Sequence, residues 1–190
     1  MFEIIKKCNI KSKAILEDNR FKIDLDFFQN LTKTSVILDY EIKNIKLKDI
    51  KRSWKNKTIR LNKTHPYLYL QGHVKQYEKY CIENKKLSNF EMSKARFDNL
   101  IKDITENSFN ELYMPIINSQ TNVILDGQHR CCVLYHLYGE NYTIQCISIT
   151  IVPKKYKYTL WQQIFSIRNA HGKQHKILTI LGFKLKFRRK

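Results

Sequence analysis

Apolar positions change their spacing several times along the chain, and each change marks a predicted element. Up to about residue 60, short alternating runs at 21–25, 35–38 and 42–47 read as strands joined by Lys- and Asn-rich turns. Pro66, the Tyr-Leu-Tyr-Leu that follows and Gly72 read as a turn or a short extended piece. From 73 to 83 the period becomes helical, with Val74, Tyr77 and Tyr80 or Cys81 on one side. Phe97, Leu100, Ile101 and Ile104 then recur at helical spacing as far as Asn107, with Ser93 as the predicted N-cap. Residues 113–117 form a short strand in which Pro115 marks an edge or a strand start, and 122–125 form a second, broken by Asp126-Gly127. A helix over 128–137 ends at Gly139. The run TIQCISITIV at 143–152 is apolar and β-branched on both parities, as a strand buried on both faces is. Leu160, Trp161, Ile164, Phe165 and Ile167 predict a last helix over 158–169.

A length of 190 residues fits one core, and 43% hydrophobic with 27% charged residues is a folding composition. Lys and Arg number 35 against 17 Asp and Glu, a net charge of +18. Such a field attracts nucleotides, nucleic acid or anionic lipid. The excess is mostly Lys spread along the whole chain, so a solvated lysine coat is the favoured explanation. Five cysteines without C-x-x-C or Cys/His ligand spacing argue against a structural zinc. The N-terminal MFEIIKKCNI lacks the apolar core of a signal peptide, so a cytoplasmic location with reduced thiols is expected.

The segment ILDGQHR, residues 124–130, carries the chemistry. Run as strand, tight turn and helix, it leaves the backbone N–H groups of Gln128, His129 and Arg130 unpaired at the positive end of a helix dipole, where phosphate binds readily. Gly127 lets an anion approach the backbone. His129 and Arg130 add side-chain donors, the guanidinium as a fork suited to phosphate oxygens. Asp126, at the end of the strand, is placed to hold Mg²⁺ or a substrate hydroxyl. The same residues also fit a plain β-turn in which Asp126 caps the helix and His129 and Arg130 are only solvated.

Residues 97–138, FDNLIKDITENSFNELYMPIINSQTNVILDGQHRCCVLYHLY, resemble the core of the ParB/sulfiredoxin superfamily: a loosely matched L-x-x-S-I-x-x-N-G helix, a P-I-x-V strand, a variable loop and a V-x-D-G-x-H-R box. The resemblance covers less than a quarter of the chain. It implies an α+β fold, a small mixed β-sheet with flanking helices, that binds a nucleotide over the box. Sulfiredoxins place a catalytic Cys immediately before His-Arg, and here that residue is Gln128, which argues against sulfinic acid repair; Cys131 and Cys132 read as small packing residues. Chromosome-partitioning members read G-E-R-R and continue into a helix-turn-helix domain, for which too little chain remains. The box is most similar to that of free-serine kinases, in which it grips nucleotide phosphates and an upstream glutamate is the general base. Glu91 falls at that glutamate's place; it also reads as a first-turn residue favouring the helix dipole.

Residues 168–190, RNAHGKQHKILTILGFKLKFRRK, are similar to a basic-apolar tail on enzymes of bacterial capsule and lipopolysaccharide assembly. Such a tail fits an anionic bilayer surface, placing the protein peripherally on the inner membrane face; residues 183–187 read equally as a strand alternating in and out of a sheet. The division expected is a β-rich region at 1–65 integrated with the core, a nucleotide-binding core at 66–170 and the tail at 171–190. The function implied is a nucleotide- and Mg²⁺-dependent phosphotransferase, using ATP, ADP or CTP, that acts on a small hydroxylated metabolite or sugar in surface-polysaccharide synthesis. Glu91, Asp126 and His129 would be catalytic, Gly127 to Arg130 would hold the phosphates and Asp126 the metal. The rival is a non-catalytic ParB-like nucleotide or nucleic-acid module. Nucleic acid is the less favoured partner, since no helix-turn-helix or RNP-type aromatic run is present.

Overall fold

The computed structural model describes residues 10–84, 90–154, 165–169, 175–180 and 183–188, with side chains described over 12–83 and 93–154. The chain divides into two compact units, Met1–Pro153 and Lys154–Lys190.

In the first unit, α1 (Ile10–Glu17) and α2 (Leu25–Thr34) precede the long strand β1 (Ser35–Lys46). Asp24 caps α2 by accepting from the Phe27 N–H at 2.7 Å. A helix therefore begins where alternation predicted the end of a strand at 21–25. The two short strands expected at 35–38 and 42–47 are one strand with a register shift between Ile37 and Asp39, so the bulge at Leu38 hides the continuity. The hairpin β2 (Lys51–Trp54) and β3 (Lys57–Arg60) leads to α3 (His65–Leu70), α4 (Val74–Asn84) and α5 (Phe90–Asn107). Pro66 starts α3 instead of forming a turn, because its fixed φ suits a first helical turn. Ser93 is inside α5, buried, and is not its cap. Strands β4 (Ile116–Asn118) and β5 (Ile124–Asp126), helix α6 (Gln128–Tyr138) and strand β6 (Thr143–Pro153) complete the unit.

Four strands form one mixed sheet in the order β1-β6-β4-β5. β6 runs antiparallel to β1 and parallel to β4, and β4 runs antiparallel to β5. Alternation along β6 divides the core. Ile147 and Ile149 join Ile37, Ile116, Phe28 and Ile15 in one cluster with α1 and α2, whereas Ile144 and Cys146 join Ile117, Ile124, Leu134, Phe97 and Tyr77 in the other with α4, α5 and α6. The sheet is therefore covered on both faces, which is why β6 is apolar on both parities. Mixed α and β structure of this kind, six helices and a four-stranded mixed sheet among the described residues, matches the expected class at that level.

The second unit contains β7 (Phe165–Asn169), β8 (His175–Ile180) and β9 (Phe183–Arg188), an antiparallel sheet in that order. This corrects the helix expected over 158–169 in its last five residues, which pair with β8 as a strand; the rest of that segment lies outside the described residues. Residues 183–187 take the strand form of their two readings.

Candidate functional site

The turn between β5 and α6 is the centre of the site. Gly127 has φ 84° and ψ 16°, in the left-handed region, and is the N-cap of α6, with no side-chain cap. Its carbonyl accepts the first helical bond, from Cys131 N–H at 3.1 Å. A Cβ at this residue would stand 3.0 Å from Pro115 Cα and 3.2 Å from Arg130 Nη2. Glycine is thus required both by φ and by the backbone of the chain entering β4. The N–H groups of Gln128, His129 and Arg130 open the helix without a capping oxygen, at the positive end of its dipole.

Beside this turn is a cavity of ≈ 500 Å³, lined by Gly127, Gln128, His129, Arg130, Asp126, Arg52 and Asp103, and by apolar side chains including Leu100, Ile104 and Phe109. Successive residues on a helix diverge, and the two side chains of the H-R pair go separate ways. The imidazole of His129 turns toward α4 and α5: its Nε2 shares a hydrogen bond with Tyr77 Oη at 3.0 Å, and its ring packs edge-on to Phe97 at 4.7 Å. Burial, with Arg52 and Arg130 nearby, pushes its pKa down to about 4, so it is neutral at physiological pH. Arg130 turns toward the sheet. Its Nη1 donates to the Tyr113 carbonyl at 2.6 Å and its Nη2 to Asp126 Oδ2 at 3.3 Å. The expected convergence of imidazole, guanidinium and amides on one anion is therefore reduced: His129 carries no charge to offer, and Arg130 is engaged in clamping the turn.

The cation that the sequence reading missed is Arg52. The β2–β3 hairpin docks beside β5, with Lys51 N–H donating to Asn122 O at 3.0 Å and Arg52 Nη1 to Ile124 O at 3.4 Å. Its Nε is buried with no hydrogen-bond partner, and among the described residues Arg52 has no ion-pair partner. Arg52 lies 75 positions before the glycine of the box in a plain K-R-S-W run, and no local pattern sets it apart from the other basic residues.

Of the remaining candidates, Gln128 is buried at the cavity wall and Asp126 is partly exposed there. Asp103, on α5, adds a second carboxylate, exposed and accepting from Asn107 Nδ2 at 3.0 Å. Glu91 is in the first turn of α5, and its side chain lies outside the described residues. Cys131 and Cys132 are fully buried. Burial raises both thiols, Cys132 to about 12, which makes them packing groups and not nucleophiles.

The fold and site define a class and not a family: an α+β protein with a cavity at a strand-to-helix turn, where a helix begins without a side-chain cap. No family model, no curated protein and no solved structure matches the chain.

Proposed function

We propose that the protein binds the phosphate groups of a nucleotide in this cavity, on a ParB/sulfiredoxin-like fold, and transfers a phosphoryl group to the hydroxyl of a small metabolite or sugar of surface-polysaccharide synthesis. The observation that supports the reading best is Arg52: a guanidinium whose Nε is buried and unpartnered, lining the same cavity as an uncapped helix start. A buried donor without a partner is costly, and a bound phosphate oxygen would relieve that cost. The N–H groups of Gln128 to Arg130 and the amide of Gln128 would supply the remaining donors.

Mg²⁺ fits this site only as a partner of phosphate. Among the described residues no cluster of three His, Cys, Asp or Glu can hold a metal. Asp126 and Asp103 both line the cavity, and Mg²⁺ is ordinarily held by one or two carboxylates with phosphate oxygens and water. Bound there, it would neutralise charge on the phosphoryl oxygens. Arg130 orients Asp126 toward that task through their ion pair. His129, neutral, offers at most one ring N–H to the substrate, and Glu91 is assigned the hydroxyl proton by the resemblance alone.

A second reading is favoured by the same bonds. Asp126 is tied to Arg130 and His129 to Tyr77, which suits a module that binds a nucleotide without turning it over. The two are separated by thermal denaturation with ATP, ADP or CTP, with and without Mg²⁺, followed by phosphorus NMR with serine, amino alcohols and sugars as acceptors. Nucleotide at a hundred times its Kd stabilises by about 2.7 kcal/mol, a Tm rise of about 5–10 °C for a chain of this size. Arg52→Met should weaken nucleotide binding about 10- to 100-fold, the loss of one charge-assisted bond. Stabilisation without product supports the binding module. No stabilisation by any nucleotide overturns both.

A further inference from the structure

Charge is divided unevenly between the two units. Residues 154–190 contain 11 Lys and Arg and no Asp or Glu, so this short unit holds more than half of the net +18. The strand register places that charge. Paired residues of an antiparallel ladder share a face, and neighbours along a strand alternate. The register Phe165↔Ile180↔Phe183 and Ile167↔Leu178↔Leu185 puts these six apolar residues on one face. The register Arg168↔Ile177↔Lys186, with Thr179↔Lys184 and His175↔Arg188, puts Arg168, Lys184, Lys186 and Arg188 on the other. Lys176 is the one cation of the three strands on the apolar face.

Along β9 the cationic positions recur every second residue, about 6.6 Å apart, and Arg168 is two strands from Lys186, about 9.5 Å away. Residues 154–190 contain no Asp or Glu to offset these four cationic positions. A chain of phosphates is the ligand whose charge and repeat complement such a row.

We propose that this cationic face binds the sugar–phosphate backbone of nucleic acid without reading its sequence. The fixed two-residue repeat of cationic positions along β9 favours that polyanion over a bilayer: a nucleic-acid strand presents its phosphates at a fixed spacing, whereas lipid headgroups diffuse and present none.

The test is fluorescence anisotropy of the full chain with a labelled 20-base-pair DNA duplex of mixed sequence, across a salt series. Four neutralised phosphates give a slope of log Kobs against log salt of about −3.6, roughly a hundredfold loss of affinity between 50 and 200 mM salt. The double variant K184Q/K186Q should reduce that slope by about 2. K48Q/K63Q, two exposed lysines of the first unit, should leave it unchanged. Arg168→Gln, on another strand of the same face, should reduce it by about 1 and serves if the double variant lowers Tm. The proposal is overturned by absence of binding at 50 mM salt or by equal losses in the two double variants. Association with phosphatidylserine vesicles but not with duplex also overturns it and returns the sheet to a membrane role.

Discussion

Replacing Gly127 with Ala probes the turn on which the site is built, and the cost can be assembled from its geometry. Holding an L-residue at φ 84° costs about 1–2 kcal/mol. The new methyl would meet the Pro115 backbone at 3.0 Å; a backbone neighbour yields less than a side chain, and overpacking of this kind costs about 1–3 kcal/mol. Lower entropy of the unfolded chain returns about 0.4–1 kcal/mol. The net destabilisation should be about 2–4 kcal/mol. Gly72 supplies the control, because its φ is 88° but nothing lies within 4 Å of a Cβ there. Gly72→Ala should therefore cost about 1 kcal/mol. Urea unfolding followed by far-UV circular dichroism gives both values, and their difference isolates the contact with Pro115. If the two variants agree within about 0.5 kcal/mol, Pro115 moves freely and the close packing of this turn is not a constraint.

The two arginines of the site should behave differently. Arg130→Gln, losing its bonds to the Tyr113 carbonyl and Asp126, should destabilise by about 1.5–3 kcal/mol, whereas Arg52→Met gives up the 3.4 Å bond to the Ile124 carbonyl but removes a buried unpartnered donor, so without nucleotide it should change urea stability by less than about 1 kcal/mol. A comparable fall in both would make Arg52 a structural residue. His129 links stability to pH. Its pKa is 6.5 when unfolded and about 4 when folded, so the unfolded chain takes up the proton first as pH falls; stability is full above 6.5 and declines by up to about 3 kcal/mol toward pH 4. His129→Gln should flatten this interval in urea titrations at pH 7.5, 5.5 and 4.5, and an unchanged slope would refute the assignment. Cys131, Cys132 and Cys146 are inaccessible, so in a C8S/C81S variant a thiol reagent at pH 8 should modify none of the three until denaturant is added. Prompt labelling of any of them would contradict the packing around α6.

Strong local signals were legible in the sequence. α4, α5 and α6 announced themselves by helical spacing, and the D-G break located the turn at Gly127. Local patterns failed where tertiary pairing decides the outcome. At 165–169 the apolar spacing suited a helix, but Phe and Ile beside a ready partner strand favour the sheet. Within the box, the residues were found and their neighbours were not: His129 meets Tyr77 and Phe97 from helices 52 and 32 positions upstream, and Arg130 meets a carbonyl from 17 positions upstream. Arg52 enters the site only because a hairpin docks on the sheet edge, which no short-range pattern encodes.

The position of β6 has a consequence for biosynthesis. Among the described residues β1 is an outermost strand whose one sheet neighbour is β6, about 100 residues further along the chain. During translation the long, apolar-rich β1 leaves the ribosome well before the strand that covers its hydrogen-bonding edge, and closing so large a loop is slow. The nascent protein is then exposed to mispairing with other chains while about 100 further residues are added. Chaperone capture of ribosome-bound fragments should persist until the residues of β6 emerge and cease soon after.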